Sequence, residues 1–221
     1  MTKLKLDSNV DLERKHYTVR SIYFDSIDLK HYQEKVSGLK HRKKIRLRGY
    51  DYTPNSTVFF EVKRKFEDPG LKNRFSTNYF EALEMINKRT ISTDNEDLNK
   101  FFFQVMSYNL RPIVNVIYDR EPYTEIQPTQ NNLRITFDKN LRSVTYPKID
   151  ELFLDDNLKQ AMSDYFILEV KFDNFLPNWV RNMSESLSLK RESASKYVIS
   201  IDSHKSIVKE SRFAYFRAEK I

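Results

Sequence analysis

The chain has 221 residues, a length typical of one domain, and its 39% hydrophobic and 14% aromatic residues are enough to build a core. Its formal net charge of +7 favours anionic partners, whether nucleotide, nucleic acid or acidic lipid. Cysteine is absent, which excludes disulfides and zinc–thiolate sites, and the three glycines are too few for a glycine-rich phosphate loop.

The N-terminal residues contain no apolar signal segment, and no apolar run approaches the roughly 20 residues that a membrane-spanning helix needs. We therefore expect a soluble, cytoplasmic protein. No repeat or linker divides the chain, so we expect one domain over residues 1–204 and a basic, aromatic tail over residues 205–221.

The first half of the chain is predicted to alternate strands with helices. Residues 1–16 show no clear element, and Asp25-Ser26 is a predicted helix cap after the first strand. β-Branched and aromatic content predicts strands at 17–24, 45–50 and 57–65. Apolar periodicity predicts helices at 27–37, 78–89 and 94–109, and turn residues predict a turn at 51–56 and a Pro-Gly loop at 66–74.

The second half is predicted in the same way. Strands are expected at 113–120, 133–138 and 166–172, with a weaker strand near 142–146. Residues 121–132 are a predicted polar loop, and residues 147–164 are predicted loop with a short helix. Helices are expected at 178–189 and from Ser195 onwards. Strands interrupted by helical insertions indicate an antiparallel sheet or barrel in an α+β domain.

Charged and apolar residues alternate along four of these strands. Residues two apart in a strand share a face, so Glu61, Lys63 and Lys65 point one way and Phe60 and Val62 the other. The same pattern recurs in three other strands, which carry Arg46 and Arg48; Arg134, Thr136 and Asp138; and Glu169, Lys171 and Asp173.

Two interpretations of this alternation stay open from the pattern alone. A sheet whose polar face lies in water is the one that alternation usually indicates. The other is a closed barrel whose charged faces point inward and line a polar cavity. A cavity rich in Arg and Lys with a few carboxylates would suit a polyanion held with a divalent metal.

Seven segments, in the same order along the chain, resemble the VTC domain family. They are Val19–Asp25, Arg42–Tyr50, Phe60–Lys65, Arg111-Pro112 with Tyr118–Arg120, Leu133–Asp138, Leu168–Lys171 and Ser195–Tyr197. No single segment is specific, but their shared order is. The resemblance runs from about Tyr17 to about Ile201.

The resemblance implies the triphosphate tunnel fold of the CYTH-like enzymes, an antiparallel β-barrel with helical insertions around a basic tunnel. It implies synthesis of inorganic polyphosphate from the terminal phosphate of ATP, with Mn²⁺ or Mg²⁺ as cofactor. The partners implied are ATP and pyrophosphate or polyphosphate, with a membrane protein as a further partner. From the residues themselves, we expect no nucleic-acid partner. This favours the inward-facing interpretation of the charged strands.

The resemblance also implies which side chains bind phosphate. Forked Arg donors suit phosphate oxygens, and several fixed cations are needed for a triphosphate carrying about four charges. The implied phosphate-binding residues are Arg46, Arg48, Lys63, Lys72, Arg74, Arg120, Arg134, Lys171, Ser195 and Lys196.

Glu169 matches the metal-binding carboxylate of the family, and Glu61 is the second candidate metal ligand. Glu61 has an equally good structural interpretation as the ion-pair partner of Lys63 or of a neighbouring Arg. Asp138 and Asp173 are interpreted as strand-end or turn residues. The four histidines lack metal-ligand spacing and are interpreted as surface residues.

The resemblance has one gap. Members of the family usually begin with a strand that carries a basic residue, and none of the first sixteen residues here matches it. We therefore expect the first barrel strand to be missing and the barrel to be open along one edge.

Three hypotheses follow: a polyphosphate polymerase, a triphosphatase or polyphosphate hydrolase that uses the same tunnel, and an inactive module that binds ATP or polyphosphate. Nucleic-acid binding is the weakest alternative, because the charge is spread over strand faces and no nucleic-acid motif is present.

Overall fold

The computed structural model describes residues 3–8, 10, 13–50, 55–65, 70–88, 94–127 and 129–204. In these residues the strands are β1 Leu4–Leu6, β2 Tyr17–Asp25, β3 Arg42–Tyr50, β4 Thr57–Lys65, β5 Leu71–Asn78, β6 Arg111–Glu125, β7 Arg134–Thr145, β8 Lys159–Gln160 and β9 Ile167–Lys171. The helices are α1 Lys30–Val36, α2 Tyr79–Lys88, α3 Glu96–Ser107, α4 Asn178–Ser186 and α5 Lys196–Ser203, with a 3-10 helix at Ile149–Glu151. The predicted tail at 205–221 lies outside the described residues.

The strands form one antiparallel sheet in the order β5-β4-β3-β2-β6-β7-β8, with β1 added beside β6 and β9 beside β7. The predicted α+β class and antiparallel sheet are therefore confirmed. In the described residues no ladder joins β5 to β8 or β9, so the sheet is open between these strands.

The sheet nevertheless curls so that distant strands face each other. Lys63 on β4 and Lys171 on β9 are separated by four strands in the pairing order. Burial is the main cause that lowers the pKa of Lys63, and the positive charge of Lys171 lowers it further, so the two side chains lie near each other. The curl gives the sheet a convex outer face and a concave inner face.

Apolar residues on the convex face of β2, β3 and β4 pack against α2 and α3. Phe60 is 1% exposed, and its ring lies 4.9 Å from that of Phe101 on α3. Gly49 lies on this face, where an added Cβ would stand 2.5 Å from the ring of Phe153.

Two further apolar clusters hold the other helices to the sheet. One lies on the concave side and joins β2 and β6 to α1 and α5. The other joins β7 and β9 to α4.

Helix α1 is held at both ends as its sequence indicates. The side chain of Asp25 accepts hydrogen bonds from the backbone N–H groups of His31 (2.9 Å) and Tyr32 (3.0 Å), and Ser26 Oγ accepts one from Lys30 N at 3.0 Å. Gly38 follows the helix with φ +69°, a conformation that glycine adopts without strain.

Several predicted elements were wrong in type or extent. Residues 71–74 belong to strand β5 and not to a loop, because β5 pairs with β4 along its length. Strand β6 continues through residues 121–125, and the two predicted strands at 133–138 and 142–146 are the single strand β7. Residues 4–6 form a short strand where none was predicted, because they pair with the extended end of β6.

His31 is buried, with 4% of its surface exposed, and is not the surface residue that we predicted. It lies in α1 with Nδ1 3.4 Å from Asp25 Oδ1. In the described part of the chain, no helix is both long and apolar enough to cross a membrane.

Candidate functional site

The first wall of the site is the concave face of β3, β4 and β5. Because side chains alternate, β3 turns Ile45 and Leu47 into the convex core and leaves Arg46 and Arg48 on the concave face. The pairing register places Arg46 opposite Glu61. The same face carries the predicted phosphate-binding residues of the next two strands, namely Lys63 on β4 and Lys72 and Arg74 on β5.

Glu61 is the buried anion of this wall, with 1% of its surface exposed. Its Oε2 lies 2.6 Å from Arg46 Nη2 and 3.9 Å from Arg48 Nε, and its Oε1 lies 2.9 Å from Lys72 Nζ and 3.4 Å from Arg74 Nε. Burial opposes ionisation, but the surrounding cations, Arg46 first, lower the pKa of Glu61 to about 2. The carboxylate is therefore ionised and fixes four cations in place.

Tyr23 is a site residue that the sequence analysis did not select. Its hydroxyl accepts a hydrogen bond from Arg46 Nη1 at 2.9 Å. Burial would raise the pKa of Tyr23, but Arg46, Lys44 and Arg48 outweigh burial and lower it to about 7. Lys44 lies on the same face of β3 as Arg46, so the alternation of 44, 46 and 48 could have identified it.

The second wall is the concave face of β6, β7 and β9. Arg120 donates to both oxygens of Asp138, from Nε at 2.6 Å and from Nη2 at 2.8 Å, and its Nη2 lies 3.4 Å from Glu169 Oε2. Burial opposes ionisation of Asp138, but Arg120 and Lys196 outweigh it and lower the pKa of this carboxyl. Asp138 is 2% exposed and lies inside β7, which continues to Thr145, so its interpretation as a strand-end or turn residue was wrong.

Two further predicted cations lie along this wall. Lys171 Nζ is 3.2 Å from Glu169 Oε1, and Arg134 Nη2 is 3.3 Å from both the hydroxyl of Tyr17 and Asp7 Oδ2. Burial raises the pKa of Glu169, but Lys171, Lys196 and Arg120 outweigh burial and lower it. Asp173 lies outside the wall, where it accepts a hydrogen bond from Asn132.

The start of α5 spans the two walls. Lys196 Nζ lies 2.6 Å from Asp138 Oδ2 on the second wall, and Ser195 Oγ accepts a hydrogen bond from Lys44 Nζ at 3.3 Å on the first. The helix is anchored by Tyr197, whose hydroxyl donates to buried Asp25 at 2.5 Å and whose ring stacks on Tyr23 at 4.9 Å.

We call the space between these walls the cationic groove. The structure brings all the predicted site residues to it, ten on the two walls, one at the N-cap of α5 and one in its first turn. They are Arg46, Arg48, Glu61, Lys63, Lys72, Arg74, Arg120, Arg134, Glu169, Lys171, Ser195 and Lys196. A cavity of about 930 Å³ opens beside β9, with Glu169 and Lys196 in its lining.

The described residues contain no group of three or more His, Asp or Glu side chains placed to hold a metal ion. Among the groove carboxylates, Glu61 and Asp138 are 2% exposed or less and are surrounded by cations, whereas the side chain of Glu169 is 36% exposed. Mg²⁺ is commonly bound by one or two carboxylates together with substrate phosphates, and Glu169 fits that pattern.

Two comparisons relate the sequence of the chain to known proteins. The chain is 26% identical over 229 aligned residues to "Vacuolar transporter chaperone complex subunit 4" of Schizosaccharomyces pombe. The alignment covers 83% of this chain and 31% of that relative, so the chain spans about a third of the relative's length. The family model of the VTC domain matches residues 2–205, and the chain therefore belongs to the VTC domain family.

Proposed function

We propose that this chain is an inorganic polyphosphate polymerase that transfers the terminal phosphate of ATP to a growing chain in the cationic groove. The observation that carries the proposal is the facing of two cationic walls across one groove, with Lys44, Ser195, Lys196 and Asp138 linking them. Membership of the VTC domain family supports it.

The proposed step conserves atoms and charge. An oxygen of the terminal phosphate of the growing chain attacks the γ-phosphorus of ATP and forms a new P–O–P link. The bond between the γ-phosphorus and the β–γ bridging oxygen breaks, and ADP leaves with that oxygen. Such a transfer depends on positioning of the reactants and on stabilisation of negative charge, and the protein contributes little covalent chemistry.

The groove residues meet that need through fixed donors. Arg46 and Arg48 place guanidinium groups on one wall, and Arg120 and Arg134 place theirs on the other. Because Glu61 already orients Arg46 and Asp138 already orients Arg120, these two cations need little reorganisation when a phosphate chain enters. Lys196 adds a point charge from α5.

A divalent Mn²⁺ or Mg²⁺ would be held by Glu169 together with the phosphate oxygens of the substrate, and it would supply charge neutralisation there. We assign Glu61 a different role from Glu169. With four cations within 3.9 Å, Glu61 acts as the counterion that keeps the first wall assembled, which is its structural interpretation.

The test is to incubate the purified chain with ATP and Mn²⁺, with and without pyrophosphate, and to separate the products on a polyphosphate-stained gel. A ladder of chains is expected. Arg46→Ala and Glu169→Ala should each reduce the ladder by about a hundredfold or more, because the first removes a cation that stabilises charge at the phosphates and the second removes the carboxylate that would hold the metal. Lys88→Ala on the outer helix α2 is the matched control and should leave the ladder unchanged.

Other outcomes point to the alternatives. Release of phosphate from tripolyphosphate without chain growth would replace the polymerase with a hydrolase. Calorimetric binding of ATP without turnover would indicate a binding module. Full activity of both Arg46→Ala and Glu169→Ala would contradict the assigned site.

The relative from Schizosaccharomyces pombe is named as a subunit of a complex. We propose that this chain likewise works with a partner, a membrane protein that accepts the polyphosphate, and that the groove faces the cytoplasm. We expect the tagged protein to co-purify with membranes. Detergent that extracts the membrane partner should release it from them.

A further inference from the structure

The segment that joins α4 to α5 carries a serine that the proposed function does not use. Ser193 is exposed, and residues 190–194 around it form neither helix nor strand. Its Oγ accepts a hydrogen bond from Lys35 Nζ at 2.6 Å, which leaves the hydroxyl proton of Ser193 available for transfer. An exposed, irregular segment is the kind of substrate that a modifying enzyme can bind without unfolding a helix or a sheet.

Two basic residues distinguish Ser193 from the other hydroxyl residues of the sequence. Lys190 and Arg191 stand three and two residues before it, and no other Ser or Thr among the 221 residues has Lys or Arg at both of these positions. Both side chains are exposed, and in the described part of the chain neither has a hydrogen-bond or ion-pair partner. This charge pattern suits a serine kinase whose substrate cleft is lined by carboxylates.

The surroundings of Ser193 are cationic and belong to the mouth of the groove. Among the described residues, no carboxylate lies within ion-pair distance of Lys35, the residue that donates to Ser193. Ser195 lies two residues further, about 7 Å along an extended chain, and accepts a hydrogen bond from Lys44 Nζ at 3.3 Å. Ser193 and Lys196 line the same cavity of about 930 Å³ beside β9.

We infer that Ser193 is a phosphorylation site and that its phosphate obstructs the cationic groove by binding cations at the groove mouth. This inference rests on the proposed function and adds regulation of the same groove. A separate serine kinase supplies ATP and the catalytic base. Ser193 Oγ bonds to the γ-phosphorus, the bond from that phosphorus to the β–γ bridging oxygen breaks, ADP leaves with that oxygen, and the hydroxyl proton passes to the base.

The added phosphate acts in two ways. Phosphoserine carries a charge of about −1.5 to −2 at pH 7, so Lys35 exchanges a neutral hydroxyl partner for a charge-assisted pair. The same charge repels the phosphates of an entering chain and competes with them for Lys44 and Lys196. Glu192, beside Ser193, is exposed and increases the negative charge of the segment. A polyanion should therefore bind the phosphorylated protein more weakly.

Binding of tripolyphosphate tests the obstruction without any kinase. The full chain is made as a Ser193→phosphoserine variant by incorporation during translation, and calorimetry should show binding about tenfold weaker than to the unmodified chain. Ser107→phosphoserine is the matched control, because it adds the same charge at the end of the outer helix α3 and should shift the affinity less than about twofold. Unchanged affinity after modification at Ser193, or an equal loss at Ser107, would overturn the inference.

Thermal unfolding without ligand tests the contact with Lys35. The Ser193→phosphoserine change should raise the melting temperature in the wild-type background and should lose this effect in the Lys35→Gln background, because the new pair is then absent. The same change in melting temperature in both backgrounds would overturn the contact.

Recognition by a kinase is tested on the unmodified chain. A serine kinase with an acidic substrate cleft should modify Ser193 at least about tenfold faster in the wild type than in Lys190→Gln/Arg191→Gln, as measured by mass spectrometry of the peptide that contains Ser193. Equal rates for the two proteins, or no phosphate on Ser193 of the wild type, would overturn the assignment of this residue as the site.

Failure of the inference and failure of the proposed function give different results. If the unmodified chain makes polyphosphate but phosphoserine at Ser193 leaves tripolyphosphate binding unchanged, the regulatory site is wrong and the polymerase stands. If the unmodified chain makes no polyphosphate yet binds tripolyphosphate more weakly after modification at Ser193, the polymerase is wrong and the regulatory site stands.

Discussion

Glu61 shows how one buried anion can organise a cationic site. Burying an ionised carboxylate is unfavourable by itself, and here four cations compensate it. The depressed pKa of about 2 means that its stabilising contribution is present above the usual pKa of the carboxyl. That contribution is lost as the pH falls through the folded-state value.

Replacing Glu61 by Gln should therefore destabilise the chain by about 3–5 kcal/mol, because the cations around it lose their buried partner. Urea unfolding at neutral pH measures this loss. Tripolyphosphate should restore part of the stability, since its oxygens can replace the missing charge. A fully stable variant with weakened metal binding would instead support the metal-ligand role of Glu61.

Tyr23 should make stability depend on pH in the alkaline range. Its folded-state pKa is about 7, below the ordinary phenol value of about 10, so between these values the folded chain binds fewer protons than the unfolded chain. The Tyr23 contribution to the free energy of unfolding is complete above the unfolded pKa and is lost as the pH falls through about 7.

Tyr23→Phe should accordingly flatten the rise in the free energy of unfolding between about pH 7 and 10. Denaturant titrations of both proteins at several pH values across that range measure the difference in slope. The hydrogen bond that Arg46 donates to the phenol is one cause of the lowered pKa, so its loss contributes to this flattening. Parallel curves for the two proteins would show that the phenol does not titrate in this window.

Individual residues were predictable where strand alternation assigned them to a face. Arg46, Arg48, Lys63 and Glu169 follow that rule and lie in the groove. Asp138 obeys the same rule and was set aside as a strand end, because the sequence does not reveal that β7 continues beyond it.

At the scale of elements, α5 depends on a buried hydrogen bond for its position. Tyr197 stays protonated, since burial and then Asp25 raise its pKa well above the ordinary value, and it donates to Asp25 at 2.5 Å. The same carboxylate caps α1. Asp25 thus ties both concave-side helices to β2 and sets where Lys196 enters the groove.

Tyr197→Phe should lower the free energy of unfolding by about 1–3 kcal/mol, because Asp25 loses one of its partners in a buried environment. It should also weaken tripolyphosphate binding, since Lys196 directly precedes Tyr197 in α5. Unfolding and calorimetry on the same sample measure both effects. If stability falls while affinity is unchanged, α5 does not position Lys196.

Strand β5 shows why element boundaries were harder to predict. Pro69 and Gly70 are turn signals, and they led to a loop prediction through residue 74. Pairing with β4 begins directly after them, at Leu71. Such pairing is a tertiary contact, which local composition does not report.

For the whole molecule, alternation predicted a sheet with one charged face but left open whether that face lies in water. The choice depends on curl, which brings β4 and β9 together although four strands separate them in the pairing order. Periodicity could not decide between the two interpretations, whereas the resemblance of seven ordered segments favoured the inward-facing one. The open side between β5 and β9 agrees with the expected open edge in the described residues.

The central claim is that two walls, which face each other across the concave side of the curled sheet, bind one phosphate chain. Calorimetric titration of tripolyphosphate into the wild type, Arg48→Ala, Arg134→Ala and the double variant tests it most directly. Each single variant should lose about ten- to a hundredfold in affinity, because each removes a charged donor to phosphate. Lys88→Ala should bind as the wild type does. Affinity that depends on only one of Arg48 and Arg134, or on neither, would contradict the claim that both walls form a single site.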